Sequence, residues 1–230
     1  MEPLNFKVCG MKLNTEEVAE LAPNYLGFIF YPPSPRFFNG TIPELPASIK
    51  KVGVFVNADI KEVMGKIKRF DLDVIQLHGD ETPEYCESLI NTMAKSLQDG
   101  GSLLPIWKVF GVDTSFTFDP LYAYQDLVDA YLFDTKSDKY GGTGTSFNWK
   151  LLSNYPFKKP FILSGGIGLE QLPAIEAVRK LGVPMMAVDV NSQFEVEPGK
   201  KDLAKLVEFV LGLSAFKDRK DQQQFESTNL

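Results

Sequence analysis

Apolar runs that stop abruptly at a polar residue recur along this chain, and this pattern constrains its fold more than any other feature. The polar positions at which such runs end are Cys9, His78, Asp134, Gly165 with Gly166, and Asp189 with Asn191. Candidate catalytic groups at the carboxyl ends of many separate strands are typical of a (β/α)₈ barrel, whose active site is built from the loops at that end. The sequence therefore predicts an active site at one mouth of a barrel.

Eight short segments read as strands, because each is apolar and rich in β-branched or aromatic residues. They are 6–9, 25–30, 51–56, 73–77, 104–110, 129–134, 160–164 and 185–190. Continuous apolar runs suit parallel strands that are covered on both faces. Amphipathic segments between them predict helices, and several open at an N-capping residue such as Asn14, Asp59 or Thr82. The second and sixth helical segments are short and predict the weakest helices.

Strands that alternate with helices imply a parallel sheet with right-handed crossovers. About eight such units favour a single closed (β/α)₈ TIM barrel, with parallel strands inside and helices outside, over a doubly wound open sheet. We expect the barrel to be one catalytic domain over residues 1–213 of the 230-residue chain. The polar segment 214–230 lacks periodicity, which predicts a disordered or frayed tail.

Composition narrows the class of protein. The net charge of −6 argues against a nucleic-acid binder, which needs a basic face. No apolar run approaches the ~20 residues of a membrane span, and the N-terminus lacks the basic and apolar regions of a secretory signal. The two cysteines, Cys9 and Cys86, are fewer than a secreted disulfide framework would carry. We therefore expect a cytoplasmic protein with no membrane or nucleic-acid partner.

Period-two alternation indicates which side chains share a face of the barrel wall. It groups Cys9 with Lys7 and Asp134 with Leu132, so Cys9 and Asp134 are both candidates for the mouth of the barrel. A thiol and a carboxyl across one pocket suit proton transfer, with one as base and the other as acid. At this point two alternatives stay open, since Cys9 also suits a small buried apolar position and Asp134 a loop-starting Asx turn.

Three loops have features of phosphate sites: the glycine-rich loop 141–149, the cluster 164–168 after the seventh strand, and the segment after the eighth strand. Glycine allows close backbone approach to a ligand, and amides at a helix N-terminus favour phosphate. The candidate residues are Gly142, Thr143, Gly144, Gly165, Gly166, Asn191 and Ser192. Taken alone, the first loop also suits a flexible connector. Barrels often bind phosphate after their last strands, so a phosphorylated small-molecule substrate is predicted.

Other polar side chains carry two interpretations each. Prolines stiffen the loop 31–38, where Arg36 suits either a bidentate grip on a carboxylate or an exposed position beside packed phenylalanines. His78, the only histidine, suits either a catalytic role or a partly buried hydrogen-bonded position. Lys108 suits the barrel interior or a snorkelling surface position. No metal-ligand spacing and no dinucleotide fingerprint appear, so we expect neither a metal nor a cofactor.

Together, several segments resemble the phosphoribosylanthranilate isomerase family, in order from Lys7 to about Phe209. They are KVCGM, GFIFYPPSPRF, VGVFVN, VIQLHGDE, FDT, GGTGTSFNW, ILSGG and VDVNSQFE with PGKKD. The resemblance implies an isomerase of L-tryptophan biosynthesis that interconverts an aldose and a ketose. Its Amadori rearrangement converts N-(5-phospho-β-D-ribosyl)anthranilate into 1-(2-carboxyphenylamino)-1-deoxy-D-ribulose 5-phosphate by general acid/base catalysis.

The resemblance also implies roles for individual residues. Cys9 falls at the general base that takes the C2′ proton, and Asp134 at the general acid that protonates the furanose ring oxygen. Arg36 falls where the family binds the anthranilate carboxylate, and His78 and Asp189 fall at supporting positions. The three candidate loops fall at the family's phosphate-binding loops.

The last loop departs from the family pattern. It usually contains two serines and a glycine, whereas this chain has Asn191, Ser192 and Gln193. A side chain at Gln193 is expected to conflict with the loop where its backbone needs a positive φ. Family members differ in oligomeric state, so a monomer is the default expectation and a homodimer stays open.

Two other phosphosugar barrels and a non-catalytic barrel are the alternatives. A ribulose-phosphate epimerase needs metal-ligand histidines, which a single histidine cannot supply. An indole-glycerol-phosphate synthase relies on lysine and glutamate at strand ends, where this chain has Cys9 and Asp134. A phosphate-binding barrel with a sensing or scaffold role would be favoured if either of those residues were absent.

Overall fold

The eight predicted strands form a closed parallel barrel in sequence order. The computed structural model describes residues 4–136 and 147–227, with side chains to residue 215. The strands are β1 (Asn5–Val8), β2 (Tyr25–Ile29), β3 (Lys50–Phe55), β4 (Val74–Leu77), β5 (Ile106–Val112), β6 (Ala130–Thr135), β7 (Phe161–Leu163) and β8 (Met185–Val190). Their ends lie within two residues of the predicted ones. The predicted (β/α)₈ barrel is confirmed, and the open sheet is excluded because β1 pairs with β8.

The α-helices surround the barrel unevenly. They are α1 (Thr15–Ala19), α2 (Ile60–Phe70), α3 (Pro83–Ser96), α4 (Leu172–Lys180) and α5 (Leu203–Ser227). Residues 42–51, the short second helical segment, form no helix, because Pro43 and Pro46 lack the N–H that a helix interior needs. The sixth segment forms only a 3₁₀ turn over Trp149–Asn154.

The C-terminal helix α5 continues to Ser227, beyond the predicted domain end at residue 213. The division of the chain at residue 213 stays a prediction. Among the described residues, none of the helices has both the length and the apolar character needed to cross a bilayer.

Two of the three predicted N-caps form as expected. Asp59 accepts a hydrogen bond from the amide of Glu62, and Thr82 accepts one from the amide of Tyr85. Asn14 precedes α1 but makes no side-chain cap. Its amide group instead bonds the backbone N–H and C=O of Lys201, at 2.9 and 3.0 Å. Capping by Asn14 was therefore a wrong prediction, because a tertiary partner takes its side chain.

Alternation along the strands separates an inner from an outer apolar layer. The inner layer consists of Cys9, Val52, Val54, Val74, Trp107, Val109, Ala130, Leu132, Ile162 and Ala187. Val8 and Phe133 belong to the larger outer layer between the strands and the surrounding segments. Cys9 and Leu132 thus face inward, as the period-two pattern predicts, and their strands run toward one mouth of the barrel.

Two short strands follow the barrel and close over its mouth. They are β9 (Glu195–Glu197) and β10 (Lys200–Lys201), which pair antiparallel as a small hairpin. The amide of Leu13 donates to the carbonyl of Gly199 in the hairpin turn, so the segment after β8 is tied to the segment after β1.

Candidate active site

One cavity at the carboxyl ends of the strands is lined by every predicted site residue that the structure describes. Those residues are Cys9, Arg36, His78, Asp134, Gly165, Gly166, Asp189, Asn191 and Ser192. Gly142, Thr143 and Gly144, the candidates of the first glycine-rich loop, lie outside the described residues. The thiol and the carboxyl predicted for proton transfer therefore border the same space.

A larger groove lies at the opposite end of the strands, between residues 40–51 and 69–73. It contains none of the predicted site residues. Charged groups along it pair with one another, as Lys50 does with Asp73 and Lys51 with Asp71. Because its charges are satisfied internally, we assign the chemistry to the cavity at the carboxyl ends.

The thiol of Cys9 is buried above an ion pair inside the barrel. Lys7 and Asp189 are partners in the β1–β8 register, and the Lys7 Nζ lies 2.9 Å from Oδ1 of Asp189. Gly27 on β2 leaves room for both side chains of β1, because a Cβ there would lie 2.9 Å from the Cys9 Sγ and 3.1 Å from the Lys7 Cε. The Lys7 ammonium thus lies beside the thiol.

Burial and neighbouring charges shift the pKa values of Cys9 and Lys7 in opposite directions. Burial raises the pKa of the Cys9 thiol, and the positive charges of Lys7 and Lys201 oppose that rise without cancelling it. For Lys7, burial disfavours the ammonium, but Asp189 and Cys9 outweigh burial and raise the pKa of Lys7. A charged Lys7 therefore favours the thiolate form of Cys9.

Asp134 lies near the end of β6, and each of its two carboxyl oxygens has a partner. Its Oδ1 accepts a hydrogen bond of 2.8 Å from the amide of Thr135, and its Oδ2 lies 3.3 Å from the Nε2 of His78. The Nδ1 of His78 lies 3.0 Å from the amide nitrogen of Gln76, which is fully buried in the barrel. The carboxyl is thus fixed locally and also borders the cavity. No Asx turn forms, because the amide two residues on, that of Lys136, donates to the carbonyl of Val112. The catalytic role of Asp134 stays a prediction.

The glycine cluster after β7 packs directly against this carboxyl. Gly165 has a φ of +86°, and a Cβ there would lie 2.5 Å from the Thr135 nitrogen and 2.9 Å from the Asp134 Oδ1. Gly166 also has a positive φ, of +61°. Only glycine allows the loop to approach Asp134 this closely.

A buried ion pair holds the loop that carries His78. Glu81 accepts hydrogen bonds from the amides of Asn57 and Gly79, at 2.8 and 3.0 Å. Lys108 donates to the carbonyl of Gly79 at 2.7 Å, and its Nζ lies 3.3 Å from Oε2 of Glu81. Lys108 alternates with the inward-facing Trp107 and Val109, so it faces the outer layer, yet it is buried. Both predictions for Lys108, an interior and a surface position, are therefore wrong.

Arg36 lies at the rim of the cavity and is held by Glu195. Its Nε lies 3.0 and 2.9 Å from the two carboxylate oxygens, and one terminal nitrogen lies 2.6 Å from Oε2. The Arg36 side chain is only 14% exposed, so the alternative of an exposed arginine is wrong. Gly10 makes room for it, since a Cβ there would lie 2.7 Å from the Arg36 Cδ.

The last loop accommodates its unusual sequence. Residues Ser192–Phe194 form a 3₁₀ turn, and the non-glycine residues of positive φ among those described are Ala22, Asn57 and Asp71. Gln193 therefore adopts an ordinary negative φ, and the expected backbone conflict at this position was wrong.

Sequence reasoning missed two residues of the site, Glu195 and Lys201. Glu195 contacts both Arg36 and Lys201, and the Lys201 Nζ also donates to Oδ1 of Asn191 at 2.8 Å. The segment PGKKD has the composition of an exposed turn, so nothing in it indicated that Lys201 is buried. Its tertiary partner Asn14 lies far away in sequence.

Comparisons with known proteins agree on one family. The family model described as N-(5'phosphoribosyl)anthranilate (PRA) isomerase matches residues 7–211. The N-(5'-phosphoribosyl)anthranilate isomerase of Parabacteroides distasonis is 44% identical over 213 residues, covering 89% of this chain and 90% of that protein. That of Phocaeicola vulgatus is 35% identical over 206 residues, covering 89% and 95%.

Solved structures give the same result. The phosphoribosyl anthranilate isomerase of Thermotoga maritima superposes with a TM-score of 0.74 at 28% identity, covering 92% of this chain and 99% of that one. The enzyme of Thermus thermophilus gives a TM-score of 0.72 at 27% identity, with the same coverage. A further structure, with a TM-score of 0.70 at 26% identity and again the same coverage, holds reduced 1-(o-carboxyphenylamino)-1-deoxyribulose 5-phosphate.

Proposed function

This chain belongs to the N-(5'-phosphoribosyl)anthranilate isomerase family, and from that membership we propose how its own residues perform the reaction. The protein is an isomerase of L-tryptophan biosynthesis that converts N-(5-phospho-β-D-ribosyl)anthranilate into 1-(2-carboxyphenylamino)-1-deoxy-D-ribulose 5-phosphate. The reaction opens the sugar ring and moves a proton from C2′, so it needs one acid and one base.

Asp134 is the general acid. In its protonated form it donates to the ring oxygen O4′ while the C1′–O4′ bond breaks, which leaves a Schiff base between C1′ and the anthranilate nitrogen. Its contacts with the Thr135 amide and with His78 support this role, because they aim the carboxyl into the cavity. A positioned acid of this kind contributes roughly 10²–10⁴-fold to the rate.

Cys9 is the general base. Its thiolate removes the proton from C2′ of the Schiff base, and the electrons of that bond move toward the nitrogen to give an enolamine. The enolamine then loses its hydroxyl proton and gains one at C1′, which yields the ketose. Solvent exchange afterwards returns Cys9 to the thiolate and Asp134 to the acid. The adjacent Lys7, held by Asp189, supports the thiolate.

The two anionic ends of the substrate orient the sugar between these groups. Arg36 binds the anthranilate carboxylate, and Gly165, Gly166, Asn191 and Ser192 bind the phosphate through the loops after β7 and β8. The positive φ of both glycines supports this, since it lets backbone amides approach an anion. Fixing both ends restricts the sugar to reactive orientations, which lowers the entropic part of the barrier.

The single observation that carries these assignments is that Cys9 and Asp134 border one cavity from separate strands. The test is to mix the purified chain with freshly prepared phosphoribosylanthranilate and to follow the loss of its fluorescence. Wild type should consume the substrate, whereas Cys9→Ser and Asp134→Asn should each lose about 10²-fold or more in kcat. Full turnover by either variant would remove that residue from the mechanism.

Partners and location follow from the same assignments. The partner is a small phosphosugar, with no nucleic acid, membrane or cofactor, and the enzyme works in the cytoplasm as a monomer. Sedimentation at micromolar concentration tests the last point, since a mass near twice the 25.7 kDa of one chain would show a homodimer.

A further inference from the structure

We propose that Lys201 is a charge-balancing residue of the substrate site, which shares Glu195 with Arg36 and so leaves Arg36 able to attract a ring carboxylate. This inference rests on the proposed function of Arg36. Nothing in the resemblance or in the comparisons assigns a role to Lys201 or to Glu195.

Glu195 is the shared anion. Its carboxylate holds Arg36 on one side, and the Lys201 Nζ lies 2.8 Å from its Oε1 on the other. The amide of Gly199 also donates to Oε1, at 3.1 Å. Burial alone would raise the pKa of Glu195, but its bonds and charge contacts with Arg36 and Lys201 outweigh burial and lower that pKa. Glu195 is therefore an anion throughout the neutral range.

The net charge of Arg36, Glu195 and Lys201 determines how strongly this site attracts a carboxylate. A pair of Arg36 and Glu195 alone would have no net charge, so it would attract a substrate carboxylate only weakly. Burial lowers the pKa of Lys201, and the Glu195 carboxylate opposes that fall. With Lys201 protonated, the three groups carry a net charge of +1. Since Coulomb energies are large where water is scarce, this difference acts directly on an arriving anion.

Arg36 keeps the donors that a carboxylate needs. A guanidinium has five N–H groups, and the contacts with Glu195 use the Nε–H and one N–H of a terminal nitrogen. Three N–H groups are left after these two. Glu195 thus orients the guanidinium while a second carboxylate can still bind it.

Lys201 is built into this position. Its side chain is fully buried, and its backbone is held on both sides by the buried Asn14. Its ammonium donates to Glu195 and to Asn191, which borders the cavity. Burying an ammonium is unfavourable unless it is paired. A purely structural hairpin anchor would not need to join Asn191 to the carboxylate that holds Arg36.

The experiment compares two ligands on four proteins. The ligands are reduced 1-(o-carboxyphenylamino)-1-deoxyribulose 5-phosphate and the same compound without its ring carboxylate, and titration calorimetry gives their Kd values. The proteins are wild type, Lys201→Met, the double variant Lys201→Met/Glu195→Gln, and Lys200→Met, which changes the exposed neighbouring lysine of β10.

In Lys201→Met, Glu195 neutralises Arg36, so the carboxylate-bearing ligand should bind about 10- to 100-fold more weakly. The ligand without the carboxylate should change less than about threefold. The double variant restores the net charge of +1, so it should bind the carboxylate-bearing ligand at least about fivefold more tightly than Lys201→Met. Lys200→Met should match wild type for both ligands.

Two results would overturn the inference. One is equal weakening of both ligands in Lys201→Met, and the other is a double variant that binds no better than the single one. If Lys201→Met does not fold, as thermal unfolding would show, Lys201→Gln replaces it in both variants, because glutamine keeps a donor for Glu195 and Asn191 without the charge. Arg36→Ala tests the proposed role of Arg36 by itself. If this variant does not bind the carboxylate-bearing ligand more weakly than wild type does, that role is wrong independently of Lys201.

Discussion

The Nε2 atom of His78 lies 3.3 Å from Oδ2 of Asp134, and this contact joins the loop after β4 to the end of β6 across the barrel mouth. On the other side of the ring, the amide nitrogen of Gln76 lies 3.0 Å from Nδ1. Gln76 is fully buried and therefore orients the imidazole from the side opposite Asp134.

His78→Ala should consequently reduce kcat by about 10- to 100-fold, because the carboxyl of Asp134 is no longer held in one orientation. KM should change less than about threefold, because His78 does not hold either anionic end of the substrate. Steady-state kinetics with freshly prepared substrate measures both. Gln76→Leu, which removes the hydrogen bond that orients the His78 ring, should give a smaller kcat loss of the same kind. A His78→Ala variant that raises KM alone would place His78 in binding instead.

The Cys9 thiol should titrate above the ordinary thiol pKa of about 8.5, because burial raises its pKa in the free enzyme. A raised pKa means that the thiolate appears only as the pH rises toward that value. The thiolate absorbance at 240 nm, measured from pH 6 to 11 as wild type minus Cys9→Ser, reports it. The subtraction removes Cys86, whose pKa burial raises to about 11. A difference midpoint below pH 8 would contradict this prediction.

Much of the fold could be predicted because its signals are local. Apolar runs and the period-two alternation determine the strands and the inward direction of Cys9 and Leu132. Pro43 and Pro46 explain in the same local terms why the second helical segment fails. The charged network was not predictable, because Lys201 meets Asn14 and Glu195 meets Arg36 across large distances in sequence. From the local sequence alone, each of these residues suggests a helix cap or a surface charge.

Prediction of the site residues likewise depended on whether a signal was local or came from tertiary contacts. Cys9, Asp134 and the glycine loops stand where strands end, and the cavity contains those of them that the structure describes. The orientation of Lys108 could not be predicted, because its burial depends on Glu81, which is brought to it by the loop after the neighbouring strand. A lysine in a strand gives no sign in sequence of which buried carboxylate will meet it.

Arg36→Ala should mainly raise KM, by about 10- to 100-fold, since it removes charge-assisted hydrogen bonds to the substrate carboxylate. Arg36→Lys should recover little, because an ammonium cannot contact Glu195 and a second carboxylate in the fork geometry of a guanidinium. Steady-state kinetics separates KM from kcat. An effect confined to kcat would contradict the carboxylate-binding role.

Lys108→Met should lower the free energy of unfolding by about 3 kcal/mol, because it leaves the carboxylate of Glu81 buried without its cation. Urea unfolding measures the change. Lys180→Met is the matched control, since Lys180 is exposed and its pair with Glu176 should contribute less than about 0.5 kcal/mol. The folded Lys108→Met enzyme should also lose kcat, because the loop that carries His78 is released. Equal stability of the two variants would show that the buried pair does not hold this loop.

Gly165→Ala tests whether the loop after β7 holds Asp134 in place. Alanine at this position would destabilise the protein in two ways, because the residue has a φ of +86° and its new Cβ would lie 2.5 Å from the Thr135 nitrogen. Gly182→Ala carries only the first cost, since Gly182 has a φ of +73° with open space around it. Each should lose about 1 kcal/mol of stability from the backbone, and Gly165→Ala about 1–3 kcal/mol more from the contact.

Activity then distinguishes the two glycines. The displaced contact in Gly165→Ala lies on the carboxyl that we propose as the general acid, so its kcat should fall by at least about tenfold at a temperature where both variants are folded. Gly182→Ala should keep wild-type kcat, because its loop lies outside the cavity. Circular dichroism establishes folding before the assay, and equal kcat in the two variants would mean that Asp134 tolerates movement of the loop beside it.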